Sequence, residues 1–298
     1  MESGLKKFCI IVTIFFLTAF LAWKLLAEPN LTHRIPKDWS FEAEYLGNLV
    51  WVGAEKKFSP QKNLTLYQRS WKVHEWQSDQ AVIEDSYKTI DVQTGEITWE
   101  TKLYYHIDPR NGKIISYDKF PEAKGLYYLF PQNVQQQDYV FFNYDLYPYT
   151  MHYQRTENRD GLDLYVFSFL GKIDFTDLYN LAYITPAAGL TGKYKVIVED
   201  FYRELWVEPV TGELVHIIEN DPGDYLVDAT TGEKKSLYAV WSGKTTGNTV
   251  NYLLKSAKQR HWQIQLYREW IPKALLGATL FFLAMTLLVH IRLRRGSV

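Results

Sequence analysis

The chain has 298 residues, with 33 Lys and Arg against 34 Asp and Glu and a single cysteine. Because that cysteine is Cys9, near the N-terminus, a disulfide-stapled fold and thiolate chemistry are excluded for the rest of the chain. With the seven basic residues of the two ends and Glu2 set aside, Glu28–Trp270 keeps 26 basic and 33 acidic side chains, net about −7. That balance excludes the basic footprint a nucleic-acid binder needs.

Residues 1–7 form a short tail carrying Lys6 and Lys7. Phe8–Trp23 is uncharged, and the apolar run reaches Ala27 if the Lys24 ammonium snorkels to the interface. About 20 helical residues are needed to cross a hydrocarbon core about 30 Å thick, so 8–27 is predicted to be a transmembrane helix. The rival is a cleaved signal peptide. Cleavage after Ala27 would put the bulky Leu25 where a small residue belongs, which favours an uncleaved anchor.

Residues 28–248 read as an extracytoplasmic β domain. Short runs rich in Val, Ile, Tyr, Phe, Trp and Thr alternate with turn residues from Asn48 to Leu237. Examples are Leu64–Trp76, Leu103–Ile107, Tyr139–Tyr144, Leu162–Leu170, Lys193–Val198 and Glu204–Val207. One signal recurs: an acid, two residues, Thr or Asn, then Gly. It occurs at Asp91…Gly95, Asp108…Gly112, Glu208…Gly212 and Asp228…Gly232. The acid can accept from the turn backbone and Gly can take the left-handed conformation, so these are hairpin turns. They lack the alternating oxygen ligands of a calcium loop. The first two acids are 17 residues apart and the last two 20 apart, which suggests two duplicated β units, roughly 45–130 and 160–240. Asp174–Tyr183 suggests one short helix between strands.

From residue 249 the period changes. Val250, Leu253, Leu254, Ala257, Ile264, Tyr267 and Ile271 share one helical face, which predicts an amphipathic stalk helix over 249–270 capped by Asn248 or Thr249. Residues 271–291 are predicted to be the second transmembrane helix, with Pro272 in its first turn. Residues 292–298 form a tail with Arg292, Arg294 and Arg295. Basic tails favour the cytoplasm, so the expectation is a two-pass plasma-membrane protein with both termini inside and the β domain outside.

Catalytic signatures are absent. The seven histidines never fall at metal-ligand spacing, and no G-x-S-x-G elbow occurs. Gly243-Lys244-Thr245 lacks the first glycine and the strand–helix context of a phosphate loop. No enzyme activity, metal or cofactor is expected. The unusual resource is 22 Tyr, 16 Phe and 10 Trp, which serve either as core or as a platform for a lipid tail or sugar ring. Asn30-Leu31-Thr32 and Asn63-Leu64-Thr65 are sequons, so Asn30 and Asn63 are N-glycosylation candidates.

The order of these features is similar to a known family. A basic start and a span precede a β domain with repeated Asp-x-x-Thr-Gly turns. Gly125-Leu126-Tyr127-Tyr128-Leu129-Phe130-Pro131 precedes Asn143-Tyr144-Asp145, and a second span with a basic tail ends the chain. This resembles the PorA-like membrane proteins of actinobacteria and archaea. The resemblance implies a porin by name and brings no catalytic residues. The expectation is a non-enzymatic envelope protein binding a lipid or glycolipid, the alternatives being an assembly protein that contacts other envelope proteins or a porin-like component.

Overall fold

The computed structural model describes residues 2–31, 35, 39–51, 63–77, 80–117, 125–126, 129–142, 148–176, 185–186, 190–237 and 239–295. It divides into two bodies, Met1–His33 with Gln259–Val298, and Arg34–Lys258.

The first body is helical. α1 (Glu2–Ala22) widens into a π turn over Trp23–Ala27 and ends in α2 (Glu28–Leu31). Later in the chain the end of α3 (Gly247–Gln265), whose residues before Gln259 belong to the second body, leads through a π turn over Leu266–Trp270 into α4 (Ile271–Arg295). α1 and α4 pack antiparallel. Lys6 Nζ lies 2.9 Å from His290 Nδ1, Phe16 stacks on Phe282 at 5.8 Å, and Trp23 meets Tyr267 at 6.0 Å. Both terminal tails therefore share one end of the pair. Ile11, Phe15, Leu280 and Phe281 point away from the partner helix, and both helices are long and apolar enough to cross a membrane. Thr13, Thr279 and Thr286 donate to the carbonyls of Cys9, Leu275 and Phe282, each at 2.8 Å, so their hydroxyls are satisfied inside the helix.

The second body is the antiparallel β domain. Its strands are β1 (Ser40–Trp51), β2 (Asn63–Trp76), β3 (Ala81–Asp91), β4 (Ile97–Ile107), β5 (Ile114–Tyr117), β6 (Tyr139–Phe141) and β7 (Tyr149–Arg159). They continue with β8 (Leu162–Asp174), β9 (Tyr194–Glu208), β10 (Glu213–Asp221), β11 (Asp224–Asp228), β12 (Lys234–Leu237) and β13 (Ala239–Thr245). Among the described residues these thirteen form one sheet in the order β5-β4-β3-β2-β1-β13-β10-β9-β8-β7-β6, with β11 between β9 and β12. The architecture is thus mainly antiparallel β, flanked by two long apolar helices.

The pairing scheme repeats. β1 to β5 form a meander. β7, β8 and β9 follow the same path, and β10 with β11 takes the place of β4. That fourth strand is broken at Pro222-Gly223, and β11 then pairs with β12 as β4 pairs with β5. Each succession also sends a strand to the other: β6 pairs with β7, and β13 pairs with β1. Leu126 ties the ends of the path, accepting from Phe142 N and donating to Val140 O, while Gly125 O accepts from Ile114 N.

The inward-facing residues of β2 and β3, including Trp71, Ile83 and Tyr87, enter the main core with Tyr105, Phe130, Phe141, Phe142 and Phe167. These aromatics pack against one another; Phe130 lies 5.0 Å from Phe167 and 6.1 Å from Phe141. A second core lies where Val250, Leu253, Leu254 and Ala257 of α3 cover Leu162, Leu164, Val166, Trp206 and Val215. That contact explains the helical period read from the sequence.

Several boundaries move. β1 starts at Ser40 and β13 lies beyond Leu237, both outside the stretch read as strands. Lys193–Val198 and Glu204–Val207 fall in one strand, β9, because the turn-like Asp200, at a positive φ of 57°, lies where the ladder with β8 shifts register and not at a strand end. β6 ends at Phe141; residues 143–144 lie outside those described. Asp174 belongs to β8, and most of the proposed short helix, residues 177–183, lies outside the described residues. The stalk helix starts at Gly247, with Thr246 Oγ1 accepting from Thr249 N at 3.2 Å, so Thr246 is the cap rather than Asn248 or Thr249.

Candidate functional site

Alternation turns the even-numbered side chains in the middle of β1–β4 away from the main core. Register then aligns them in rows across four strands. One row is Glu44, Gln68, Lys88 and Glu100; the next is Glu42, Ser70, Ser86 and Lys102; the third is Ser40, Lys72, Glu84 and Tyr104. At about 4.8 Å per strand, a row spans roughly 14 Å. The first row, with Glu42, Ser70 and Ser86 of the second, floors a groove of ≈ 520 Å³, walled by Asn248, Thr249 and Tyr252 at the start of α3. Two bonds pin that wall: Thr249 Oγ1 accepts from Glu44 N at 3.1 Å, and Thr246 N donates to Glu44 O at 2.9 Å.

Polar capacity in the groove is only partly used. Gln68 Nε2 donates to Glu44 Oε1 at 2.7 Å, and the Ser70 and Ser86 hydroxyls meet at 3.1 Å. Lys88 and Glu100 stand opposite each other in register, where an ion pair is favourable, yet form none. Among the described residues, the side chains of Glu42, Lys88, Glu100 and Asn248 have no hydrogen-bond or ion-pair partner. Tyr252 presents its ring to the groove, 62% exposed.

The third row behaves differently. Glu84 is held by Lys72 at 3.1 Å, Lys102 at 3.6 Å and His74 at 3.7 Å, and Tyr104 donates to it at 3.4 Å. Burial pushes its carboxyl up, but Lys72, Lys102 and His74 outweigh that and hold it below its ordinary value. A third set surrounds Glu204, which accepts from Trp206 Nε1 at 2.6 Å, Tyr202 at 2.8 Å and Arg155 at 3.4 Å. Burial works against the Glu204 charge and these donors overcome it; Tyr202 is pushed up to about 12 by burial and by that carboxylate. Beside them His216 bonds to the Thr245 hydroxyl and stands edge-on to Trp206. Burial, aided by the Arg159 charge, pushes His216 down to about 4. Gly243-Lys244-Thr245 is therefore the end of β13, its threonine bound to a neighbouring strand.

Two arginines are buried in the main core. Arg69 forks onto Asp85, Nε to Oδ1 at 2.8 Å and Nη2 to Oδ2 at 2.5 Å, with Trp71 at 4.6 Å. Arg203 pairs with Glu219 at 2.8 Å, and Trp241 Nε1 also donates to Glu219. Buried pairs of this kind fix the arrangement of a core more than they stabilise it.

The four acid-to-glycine turns share one geometry. Gly95, Gly112, Gly212 and Gly232 have φ between 71° and 75°, and each donates to the acid's carbonyl four residues back. The Asp91 carboxylate accepts from Gln93 N and Thr94 N, that of Asp228 from Thr230 N and Thr231 N, and that of Glu208 from Val210 N and Thr211 N. The Thr231 and Thr230 amides hold the Asp228 carboxyl below its ordinary value. Asp108 is opposed by burial, but Arg110 and Asn111 hold it low as well. The Asp91 and Asp108 turns lie at opposite ends of β4, whereas Gly112 and Gly212 both lie against residues 129–131. Asn30 falls in α2 and Asn63 opens β2; both side chains lie outside the described residues.

The groove residues escaped the sequence reading. Alternation in β2 was visible, but which strands flank it was not. Among the described residues no group of three His, Cys, Asp or Glu side chains is placed to hold a metal ion.

No curated protein matches the sequence. A solved structure of an inactive mutant of the CurK dehydratase aligns at 13% identity over 72% of this chain and 77% of its own, with a TM-score of 0.13, too low to carry an argument. The family model described as porin PorA matches residues 8–288, from the first apolar helix to the last. The protein belongs to the porin PorA family and is a membrane protein of the envelope with two helices able to cross the bilayer.

Proposed function

We propose that this chain is a non-enzymatic binding protein, anchored by α1 and α4, that holds the sugar headgroup of a glycolipid or an envelope glycan in the groove over β1–β4. The observation that carries this reading is the unspent polar capacity there: Glu42, Lys88, Glu100 and Asn248 face a cleft within the usual ligand-pocket range of roughly 300–1,000 Å³. The core aromatics fill space against one another, which favours recognition of a headgroup over capture of a lipid tail. Lys6, Lys7, Arg292, Arg294 and Arg295 lie in the two tails, which share one end of the helix pair, and this supports cytoplasmic termini with the β body outside.

Hydrolysis is disfavoured by geometry. Glu42 and Glu100 are both exposed and stand three strands apart, about 14 Å, beyond the reach of a glycosidase carboxylate pair. Glu42 and Glu44 stand nearer, two residues apart on β1, but Glu44 Oε1 already accepts from Gln68 Nε2 at 2.7 Å.

The test uses the full chain in phosphatidylcholine nanodiscs, mixed with vesicles containing or lacking a dihexosyl diacylglycerol. Retention only on glycolipid vesicles, reduced at least tenfold by Gln68→Ala with Asn248→Ala, is expected. Equal retention on both vesicles, or release of free sugar that disappears in Glu42→Gln, defeats the reading.

The family description favours a second reading, a pore component. The outward rows of β1–β4 carry Glu42, Glu44, Lys88, Glu100 and Lys102, whereas a membrane barrel needs an apolar outer band. A pore would therefore have to be lined by helices from several copies, and stepwise conductance in planar bilayers would reveal it.

A further inference from the structure

We infer that the groove selects sugars that are uncharged or carry an amino group and rejects anionic ones, with Tyr252 as the stacking platform. This rests on the headgroup reading above and assigns its chemical class. The floor brings three carboxylates, Glu42, Glu44 and Glu100, against one free ammonium, Lys88; the remaining cation, Arg69, is occupied by Asp85. Ionised carboxylates are acceptors only, each with two oxygens, and suit the hydroxyl or ammonium donors of a sugar. Gln68 and Asn248 add amides that can donate and accept on adjacent hydroxyls. A phosphate or uronate would enter a field of excess negative charge, with only Lys88 to receive it.

Tyr252 completes the argument. It is a large aromatic on the second turn of α3, in a region where its neighbours at Val250, Leu253 and Leu254 are buried. Its ring is turned from that core toward the groove. An aromatic face there offers apolar contact to the C–H face of a pyranose while the floor takes its hydroxyls. The Lys88–Glu100 pair fits the same ligand, since both groups remain available to polar atoms laid between them.

Binding is measured by calorimetry on the full chain in nanodiscs with three soluble probes: triacetylchitotriose, chitotriose and trigalacturonic acid. The neutral and amino probes are expected to bind at least tenfold more tightly than the acid at low salt, with the gap narrowing at high salt. Tyr252→Ala should weaken both by about tenfold and Tyr252→Phe should restore them, whereas Glu42→Gln with Glu100→Gln should improve the acid. Far-ultraviolet circular dichroism on each variant checks that the fold is intact. Preference for trigalacturonic acid overturns this inference and leaves the headgroup reading standing. Binding of all three probes unchanged by every groove variant overturns it too, and glycolipid retention that also ignores those variants overturns the headgroup reading.

Discussion

Glycines 95 and 212 occupy the same turn in two surroundings. A Cβ on Gly95 would meet nothing within 4 Å, whereas one on Gly212 would lie 2.4 Å from Phe130 O and 2.5 Å from Pro131 O. The second turn is buried because Phe130–Val134 bonds to it: Phe130 N to Gly212 O, Asn133 N to Val210 O and Val134 N to Pro209 O. Gly95→Ala should therefore cost only the left-handed strain, about 1–2 kcal/mol. Gly212→Ala adds a clash with rigid backbone and should cost at least about 3 kcal/mol, read by urea unfolding in detergent. The turn chemistry was legible, since acid, Thr or Asn, and Gly act within five residues. The burial of Glu208 was not, because its cover comes from a segment some 75 residues earlier. His216 was equally hidden. Free histidine takes its proton near pH 6.5, while the folded group resists until about 4. Its depressed value leaves stability intact above pH 6.5 and removes it as pH falls toward 4, because only the unfolded chain gains the proton. Between pH 7 and 4.5 the native chain should lose roughly 2 kcal/mol more than His216→Gln. Parallel pH curves for the two proteins would refute that assignment.

Among the elements, both apolar helices carry the same irregularity. The π turns end at Ala27 and Trp270, two residues before Pro29 and Pro272. Proline has no N–H and crowds the carbonyl four residues back, and a widened turn relieves that crowding. The Ile271 amide bonds to Leu266 O, and the next residue, Pro272, has no amide to offer Tyr267 O. Trp23 Nε1 supplies the missing donor at 2.9 Å from across the pair. Hydrogen bonds between membrane helices average about 0.6 kcal/mol, with a maximum of about 1.7. Trp23→Phe should destabilise the helix pair within that range, measured by steric trapping in micelles. Pro272→Ala returns an amide to Tyr267 O, so Trp23→Phe should then cost almost nothing; an unchanged cost would mean the bond is incidental. The spans themselves were legible from apolar length alone. The π turns were not, because proline near a helix start is ordinarily read as a tolerated first-turn residue.

At the scale of the molecule, the sequence revealed strand content and repeated turns but not which strands adjoin. β13 lies between β1 and β10 although nearly 200 residues separate it from β1. Alternation says which side chains share a face; only that long-range pairing says which faces join, and the groove depends on it. The antiparallel α1–α4 contact makes a sharper statement about topology. With Lys6 beside His290 and Trp23 beside Tyr267, the tails sit at one end of the helix pair and the links to the β body leave from the other. The proposal that the short basic tails stay in the cytoplasm then puts the β body outside. Cys9 is buried in the helix pair, so single cysteines placed in the turns report cleanly. Thr94→Cys and Thr230→Cys, in two exposed turns, should react with a membrane-impermeant maleimide on intact cells, while epitope tags on both termini stay protected until the membrane is opened. Protected turn cysteines with accessible tags would invert the assignment. One accessible tag and one protected tag would break the antiparallel pair itself, because both tails must lie on the same side for α1 and α4 to pack as they do.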